Sequence, residues 1–305
     1  MIGPRQLLGL PAPAKVNLFL HVVGRRSDGY HEIQSAMVPV ALADTLDFAL
    51  REDGRIVREG DLTGPVEQDL AVRAAQALQR HAAPALAASS RLGRVGVTIG
   101  VEKRIPVGAG LGGGSSDAAT TLIALNRLWG LQLPREALVA VGQQLGADVP
   151  FFLGDGAAFV EGIGERCTPL PSPALWYLIV YPQVHVSTAE IFSDPKLTRD
   201  TKRTTIEGFS AELLQASAGL FGSNDLEPVA RARFAQVDAA LGLLARFGRA
   251  RMSGSGSAVF CVLGSAQQAQ QRLDAVRALM PPQWLAWVVA GLGELPLADW
   301  LRTGP

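Results

Sequence analysis

Residues 106–117, Pro-Val-Gly-Ala-Gly-Leu-Gly-Gly-Gly-Ser-Ser-Asp, constrain this chain more than any other stretch. Five of the seven residues 108–114 are glycine, so the backbone can turn through angles closed to other residues and bring its N–H groups together. Ser115 and Ser116 then open a run with Ala118, Leu122 and Leu125 at helical spacing. The first turn of such a helix has unpaired N–H donors and the positive end of the helix dipole. A glycine loop that empties into it is an anion site, and phosphate is the natural occupant. A flexible linker would not run straight into a strong helix.

Two common phosphate loops do not fit. Gly108-x-Gly110-x-x-Gly113 matches the dinucleotide string, but residues 103–106 interrupt the strand that should lead into it. No acidic residue ends a following strand at the required distance either. A Walker A loop carries a lysine before its Ser or Thr; here Ser115 follows Gly114 directly.

Only four of the 28 basic residues are lysine. One, Lys15, stands two before Asn17 in an alternating run, so the two share a strand face. An edge lysine lying along the surface would account for it, and so would an ammonium aimed at developing negative charge. Asp148 lies between the helix stop at Gly146 and Pro150. It either caps the next turn or serves as a base for a substrate hydroxyl. Tyr30 and His31 follow the Asp28-Gly29 turn, as a plain strand start or as an aromatic shelf with a hydrogen-bonding ring. Residues 253–257, Ser-Gly-Ser-Gly-Ser, form a second glycine turn, either a bare hairpin or a partner to the first loop. It lacks the Gly-x-Ser-x-Gly elbow of the hydrolases. The four histidines show no ligand spacing, so any metal would be Mg²⁺ arriving with a nucleotide.

A chain of 305 residues is long enough for two domains. Its 28 acidic residues balance its 28 basic ones, which argues against a nucleic-acid partner. The two cysteines, far apart, read as thiols of a reducing compartment. No apolar run reaches membrane-spanning length and the first ten residues lack a signal-peptide pattern, so no membrane partner and a cytoplasmic location are expected. Periodicity predicts strands at 14–23, 31–40, 45–51 and 95–101, and helices at 69–81, 115–128 and 134–145. After a break at Asp155-Gly156, strands at 175–181, 258–263 and 284–290 alternate with helices at 228–247 and 267–279. The polar run 197–205 reads as a mobile loop. The fold class is therefore α+β, with domains at 1–155 and 156–305.

Taken together, the motifs resemble the GHMP small-molecule kinases. The resemblance runs through Ala12-Pro13-Ala14-Lys15-Val16-Asn17-Leu18, Asp28-Gly29-Tyr30-His31, the glycine loop, residues 145–152 (Leu-Gly-Ala-Asp-Val-Pro-Phe-Phe), Asn224-Asp225-Leu226-Glu227 and residues 252–256. It implies an N-terminal domain like ribosomal protein S5 domain 2 and a ferredoxin-like C-terminal α/β sandwich, with the active site between them. It implies ATP and Mg²⁺ as cofactors, with Pro106, Val107, Gly108, Ala109, Gly110, Leu111, Gly112, Gly113, Gly114, Ser115 and Ser116 around the phosphates. It implies Lys15 and Asp148 as the catalytic pair. For the substrate it implies the 2-hydroxyl of a cytidine diphosphate-linked methylerythritol, held by Asn17, Tyr30, His31, Thr188 and Phe192. Mevalonate, homoserine or a sugar is the alternative acceptor. Ser187 departs from the proline expected before Thr188, and no clear acidic metal ligand stands out.

Overall fold

The computed structural model describes residues 4–61, 64–88, 95–172, 174–209 and 220–302. The alternating run around Lys15 becomes one long strand, β1 (Gln6–Arg25), paired antiparallel with β2 (His31–Arg51). The two strands expected at 31–40 and 45–51 are thus one. Asp44, in the gap between those expected strands, stays inside the strand, fully buried, because its Oδ1 accepts the backbone N–H groups of Arg104 (2.6 Å) and Ile105 (2.8 Å). Along its other edge β2 pairs with β4 (Gly96–Glu102) over its C-terminal half and β5 (Ala158–Gly162) over its N-terminal half. Strand β3 (Ile56–Gly60) adds in parallel to β4, and β6 (Arg166–Pro169) closes the far end beside β5. The first sheet therefore continues through β6, past the break expected at Asp155-Gly156.

Helices α1 (Leu70–Ala88), α2 (Gly113–Leu128), α3 (Arg135–Gln143) and the short α4 (Val149–Phe152) cover one face of this sheet. Helix α1 runs beyond the predicted end at 81 and carries Pro84 inside it. Helix α2 is buried almost all round, Thr120 and Thr121 included, which is why its apolar stripe is weak in the sequence.

The second sheet has the order β10-β7-β9-β8, all antiparallel, from β7 (Trp176–Tyr181), β8 (Ala250–Met252), β9 (Val259–Leu263) and β10 (Leu285–Ala290). Its connections hold α5 (Thr188–Ser193), α6 (Glu227–Arg233), α7 (Ala235–Ala245) and α8 (Ala266–Arg277), and α9 (Ala298–Arg302) ends the described chain. The single helix expected at 228–247 is broken at Phe234, which is extended (φ −126°, ψ 96°) and packs its ring against the second core. This is the α+β architecture expected, with strand pairs and helices segregated on their sheets.

A third core joins the two sheets. Ala14, Val16 and Leu18 of β1 meet Tyr177 and Ile179 of β7 and Phe260 of β9, with Phe19 stacked edge-on to Phe221 at 4.9 Å. Each large apolar side chain buried there contributes about 1.5–3 kcal/mol, so this seam holds β1 and the glycine loop against the second sheet. The run 197–205 is irregular, as expected, but tied down. Thr204 exchanges two hydrogen bonds with Gln34, and Thr201 donates its N–H to Val22 and its hydroxyl to Asp225. No helix among the described residues is long and apolar enough to cross a membrane.

Candidate active site

The glycine loop leaves β4 at residue 103 and enters α2 at Gly113. Gly108, Gly110 and Gly112 all have positive φ, at 65°, 72° and 75°. The loop is clamped from two sides. Lys15 N–H donates to the Leu111 carbonyl (2.9 Å), tying the loop to β1. From the second sheet, Ala258 N–H donates to Ala109 O (3.0 Å) and Ser253 Oγ to Gly110 O (2.9 Å). The second glycine turn is thus not a bare hairpin but the opposite jaw. Asn224 holds that jaw, donating through Nδ2 to the carbonyls of Met252 and Gly254, both at 2.8 Å.

Between these jaws lies a cleft of about 540 Å³. Residues 106–115 line it, together with Lys15, Asn17, Asp148, Thr188 and Phe192. Ser116 does not; its hydroxyl is buried without a hydrogen-bond partner and borders a small void beside Pro11 and Pro13. Lys15 is buried, yet its ammonium lies 3.4 Å from Asp148 Oδ2 and donates to Asn17 Oδ1 at 2.6 Å. It is no surface lysine lying along an edge. Asp148 precedes α4 but makes no capping hydrogen bond, so its partly exposed carboxylate faces the lysine and the cleft. The two residues come from strand and helix-end positions 133 apart in sequence, brought together because α4 and α2 pack on the sheet that β1 belongs to.

Tyr30 and His31 stand one step outside the cleft wall. Tyr30 is 62% exposed on the 26–30 turn, where its N–H bonds Asp28 Oδ1. The His31 ring lies 5.0 Å from the Phe192 ring, in direct contact, so the two rings leave no room for a flat base between them. Arg199 donates to His31 Nε2 at 3.0 Å, and is itself fixed by the carbonyls of Phe192, Asp194 and Leu197. Burial, then the charges of Arg199 and Arg25, hold the His31 imidazole below its usual range, so the ring is kept neutral near pH 7. Thr188 Oγ1 meets Ser255 Oγ at 2.7 Å, joining the start of α5 to the second jaw. Ser187, in place of the expected proline, caps α5 through Glu190 N–H.

The cleft also holds Lys103, a side chain that the motifs did not point to. Lys103 donates to both Asp44 Oδ2 and Asp117 Oδ2. Burial pulls the Lys103 ammonium down, but the two carboxylates outweigh it and leave it raised. Asp117 is pushed up to about 7 by its own burial, which outweighs Lys103, with the like charge of Asp44 adding to it. Its Oδ1 has no hydrogen-bond partner. The signal in the sequence was the scarcity of lysine: Lys103 is one of four. Burial first raises the Cys167 thiol to about 12 and the Cys261 thiol to about 11, so both are held as thiols near neutral pH.

Among the described residues no group of three or more His, Cys, Asp or Glu could hold a metal ion by itself. Ser115, Asp117 and Asp148 do line the cleft with hard oxygen atoms. That suits Mg²⁺, which is bound mainly by nucleotide phosphates and needs few protein ligands.

The N-terminal domain of the GHMP kinases matches residues 69–156, and the C-terminal domain of the same kinases matches residues 205–282. The 4-diphosphocytidyl-2-C-methyl-D-erythritol kinase of Ralstonia nicotianae is 48% identical over 97% of this chain and 98% of its own length. The enzyme of that name from Thiobacillus denitrificans is 49% identical over 95% and 98%. Among solved structures, a 4-(cytidine 5'-diphospho)-2C-methyl-D-erythritol kinase superposes with a TM-score of 0.74 at 35% identity, over 94% of this chain and all of that one. A homoserine kinase from Cytophaga hutchinsonii, with a TM-score of 0.65 at 17% identity, shares the fold alone. The chain belongs to the GHMP kinases, ATP-dependent phosphotransferases, and within them to the family of 4-diphosphocytidyl-2-C-methyl-D-erythritol kinases.

Proposed function

We propose that this chain moves the γ-phosphoryl group of ATP to the 2-hydroxyl of 4-diphosphocytidyl-2-C-methyl-D-erythritol, a step toward isoprenoid precursors that bypasses mevalonate. The observation that carries this reading is the Lys15–Asp148 pair, 3.4 Å apart in the cleft whose wall is the glycine loop. The acceptor hydroxyl gives its proton to Asp148 Oδ2 as its oxygen bonds to the γ-phosphorus. The bond from that phosphorus to the β–γ bridging oxygen breaks, and the electron pair leaves with ADP. Lys15 faces both the carboxylate and the charge spread over the transferring group. Residues 106–115 cradle the phosphates with backbone N–H groups, and the α2 N-terminus adds its dipole. Ser115 and Asp148 would hold Mg²⁺, which when bound would neutralise charge on the phosphates.

Asn17 and Thr188 hold the substrate, Asn17 also orienting Lys15, and Tyr30, His31 and Phe192 form the base-binding end, with Tyr30 closing over the ring. The same reading assigns the ATP-binding role to the first sheet and its helices, through β6 at Pro169, and the GHMP C-terminal role to the second sheet, and it puts the enzyme in the cytoplasm, where ATP is made and used. The kinase relatives at 48% and 49% identity support the cytidyl substrate over mevalonate, homoserine or a sugar. A coupled ATP-consumption assay with the cytidyl alcohol, mevalonate, homoserine and galactose in parallel tests it. Turnover with the cytidyl compound alone is expected; turnover with another alcohol in its place would discard the base-recognition part.

A further inference from the structure

Lys15, Asn17 and Ser35 are all buried, and their polar atoms form one line. Lys15 Nζ donates to Asn17 Oδ1 at 2.6 Å, Asn17 Nδ2 donates to Ser35 Oγ at 2.8 Å, and Ser35 Oγ donates to the Phe19 carbonyl at 2.5 Å. Both ends of this line have a fixed polarity. An ammonium can only donate and a carbonyl can only accept. The single Ser35 proton goes to Phe19 O, so Ser35 has only lone pairs left for Asn17. The amide must therefore turn its NH₂ to Ser35 and its oxygen to Lys15. Turned over, it would set an NH₂ against the ammonium and an oxygen against lone pairs.

We infer that Ser35 is a positioning residue for Lys15, acting through Asn17. It fixes which edge of the amide meets the ammonium, and so holds Nζ at its place beside Asp148. Strand geometry makes this possible. The β1–β2 register shifts between Asn17 and Phe19, so Ser35, opposite Leu20, reaches both the Asn17 side chain and the Phe19 carbonyl. Ser35 does not line the cleft. The inference rests on the role given to Lys15 above.

The test is a cycle of Ser35→Ala, Asn17→Ala and the double variant, with folding checked by circular dichroism and thermal melting. With ATP and the cytidyl alcohol, Ser35→Ala should lower kcat by about tenfold to a hundredfold, the cost of a displaced reacting group. Its KM for ATP should stay within about twofold, because the displaced group acts in the transition state. The double variant should be no slower than Asn17→Ala, since Ser35 then has nothing to position. Losses that multiply in the double variant, or a raised KM with kcat intact, overturn the inference. Should an unpaired amide donor unfold Ser35→Ala, the double variant removes that donor and should melt like Asn17→Ala; a lower melting point counts against the inference. Solvent exchange of the Asn17 side-chain amide protons gives a readout free of turnover. It should be slow in the unaltered protein and faster in Ser35→Ala, and equal rates overturn the inference. An unaltered protein that consumes no ATP would instead sink the proposed reaction, while the exchange rates still judge Ser35.

Discussion

Replacing Gly110 by alanine tests whether the glycine loop works as one jaw of a clamp. Its φ of +72° is left-handed, which costs an L-residue roughly 1–2 kcal/mol. An added Cβ would also stand 2.1 Å from the Ser253 carbonyl oxygen and 3.0 Å from Gly256 N and O. All three are backbone atoms, so the second jaw must retreat by roughly 1 Å to reach ordinary contact. That movement stretches the Ser253 Oγ–Gly110 O bond from 2.9 Å, a loss of about 1 kcal/mol. The total is roughly 3 kcal/mol, and spent on the nucleotide site it weakens ATP about a hundredfold. Gly9→Ala is the matched control. Its φ is +67°, but nothing lies within 4 Å of its added Cβ, so it carries the backbone cost alone. Isothermal titration with a non-hydrolysable ATP analogue, beside thermal melting of both variants, separates the two terms. Gly9→Ala should melt a few degrees lower and bind the analogue normally; Gly110→Ala should lose affinity by about two decades. A Gly110→Ala protein that binds within about threefold of the unaltered one would refute the clamp.

Asp148→Asn should cut turnover by about a hundredfold to ten-thousandfold while ATP still binds, and a near-normal rate would remove Asp148 as the base. Tyr30→Ala, at an exposed site, should raise KM for the cytidyl alcohol about tenfold through lost stacking and leave KM for ATP alone; equal losses would point to misfolding. Lys103→Met leaves Asp44 and Asp117 buried without their cation and should cost about 3–5 kcal/mol in urea unfolding at neutral pH, whereas unchanged stability would show the pairings to be idle. Asp117, raised from 3.8 to about 7 in the folded chain, favours the fold while protonated. Its contribution is full below about pH 4 and lost as pH rises through about 7, so Asp117→Asn should flatten the fall in melting temperature between about pH 5 and pH 8; an unchanged slope contradicts it.

Much of the cleft was legible because few structures justify five glycines in seven residues, and because a period of two puts Lys15 and Asn17 on one face. Other features depend on pairings that no local pattern records. Asp44 lies in the gap between the strands expected at 31–40 and 45–51; only Lys103 and two N–H groups from the next crossover, meeting its carboxylate, show why the strand runs on through it. The break at Phe234 has no Gly or Pro to announce it; tertiary packing of its ring decides it. Ser35 gains its place only from the register shift in β1. The contact between His31 and Phe192 joins residues 161 positions apart through the Arg199 brace, so the motifs could name the rings but not their arrangement.

The most direct test of the phosphoryl transfer is phosphorus NMR of the product formed from ATP, Mg²⁺ and 4-diphosphocytidyl-2-C-methyl-D-erythritol. One new monophosphate-ester signal, coupled to the carbon bearing the 2-hydroxyl, should grow in step with ADP while the diphosphate pair stays intact. ADP appearing with inorganic phosphate alone, or an ester on another oxygen, would contradict the placement of Asp148 and Lys15 at the reacting hydroxyl.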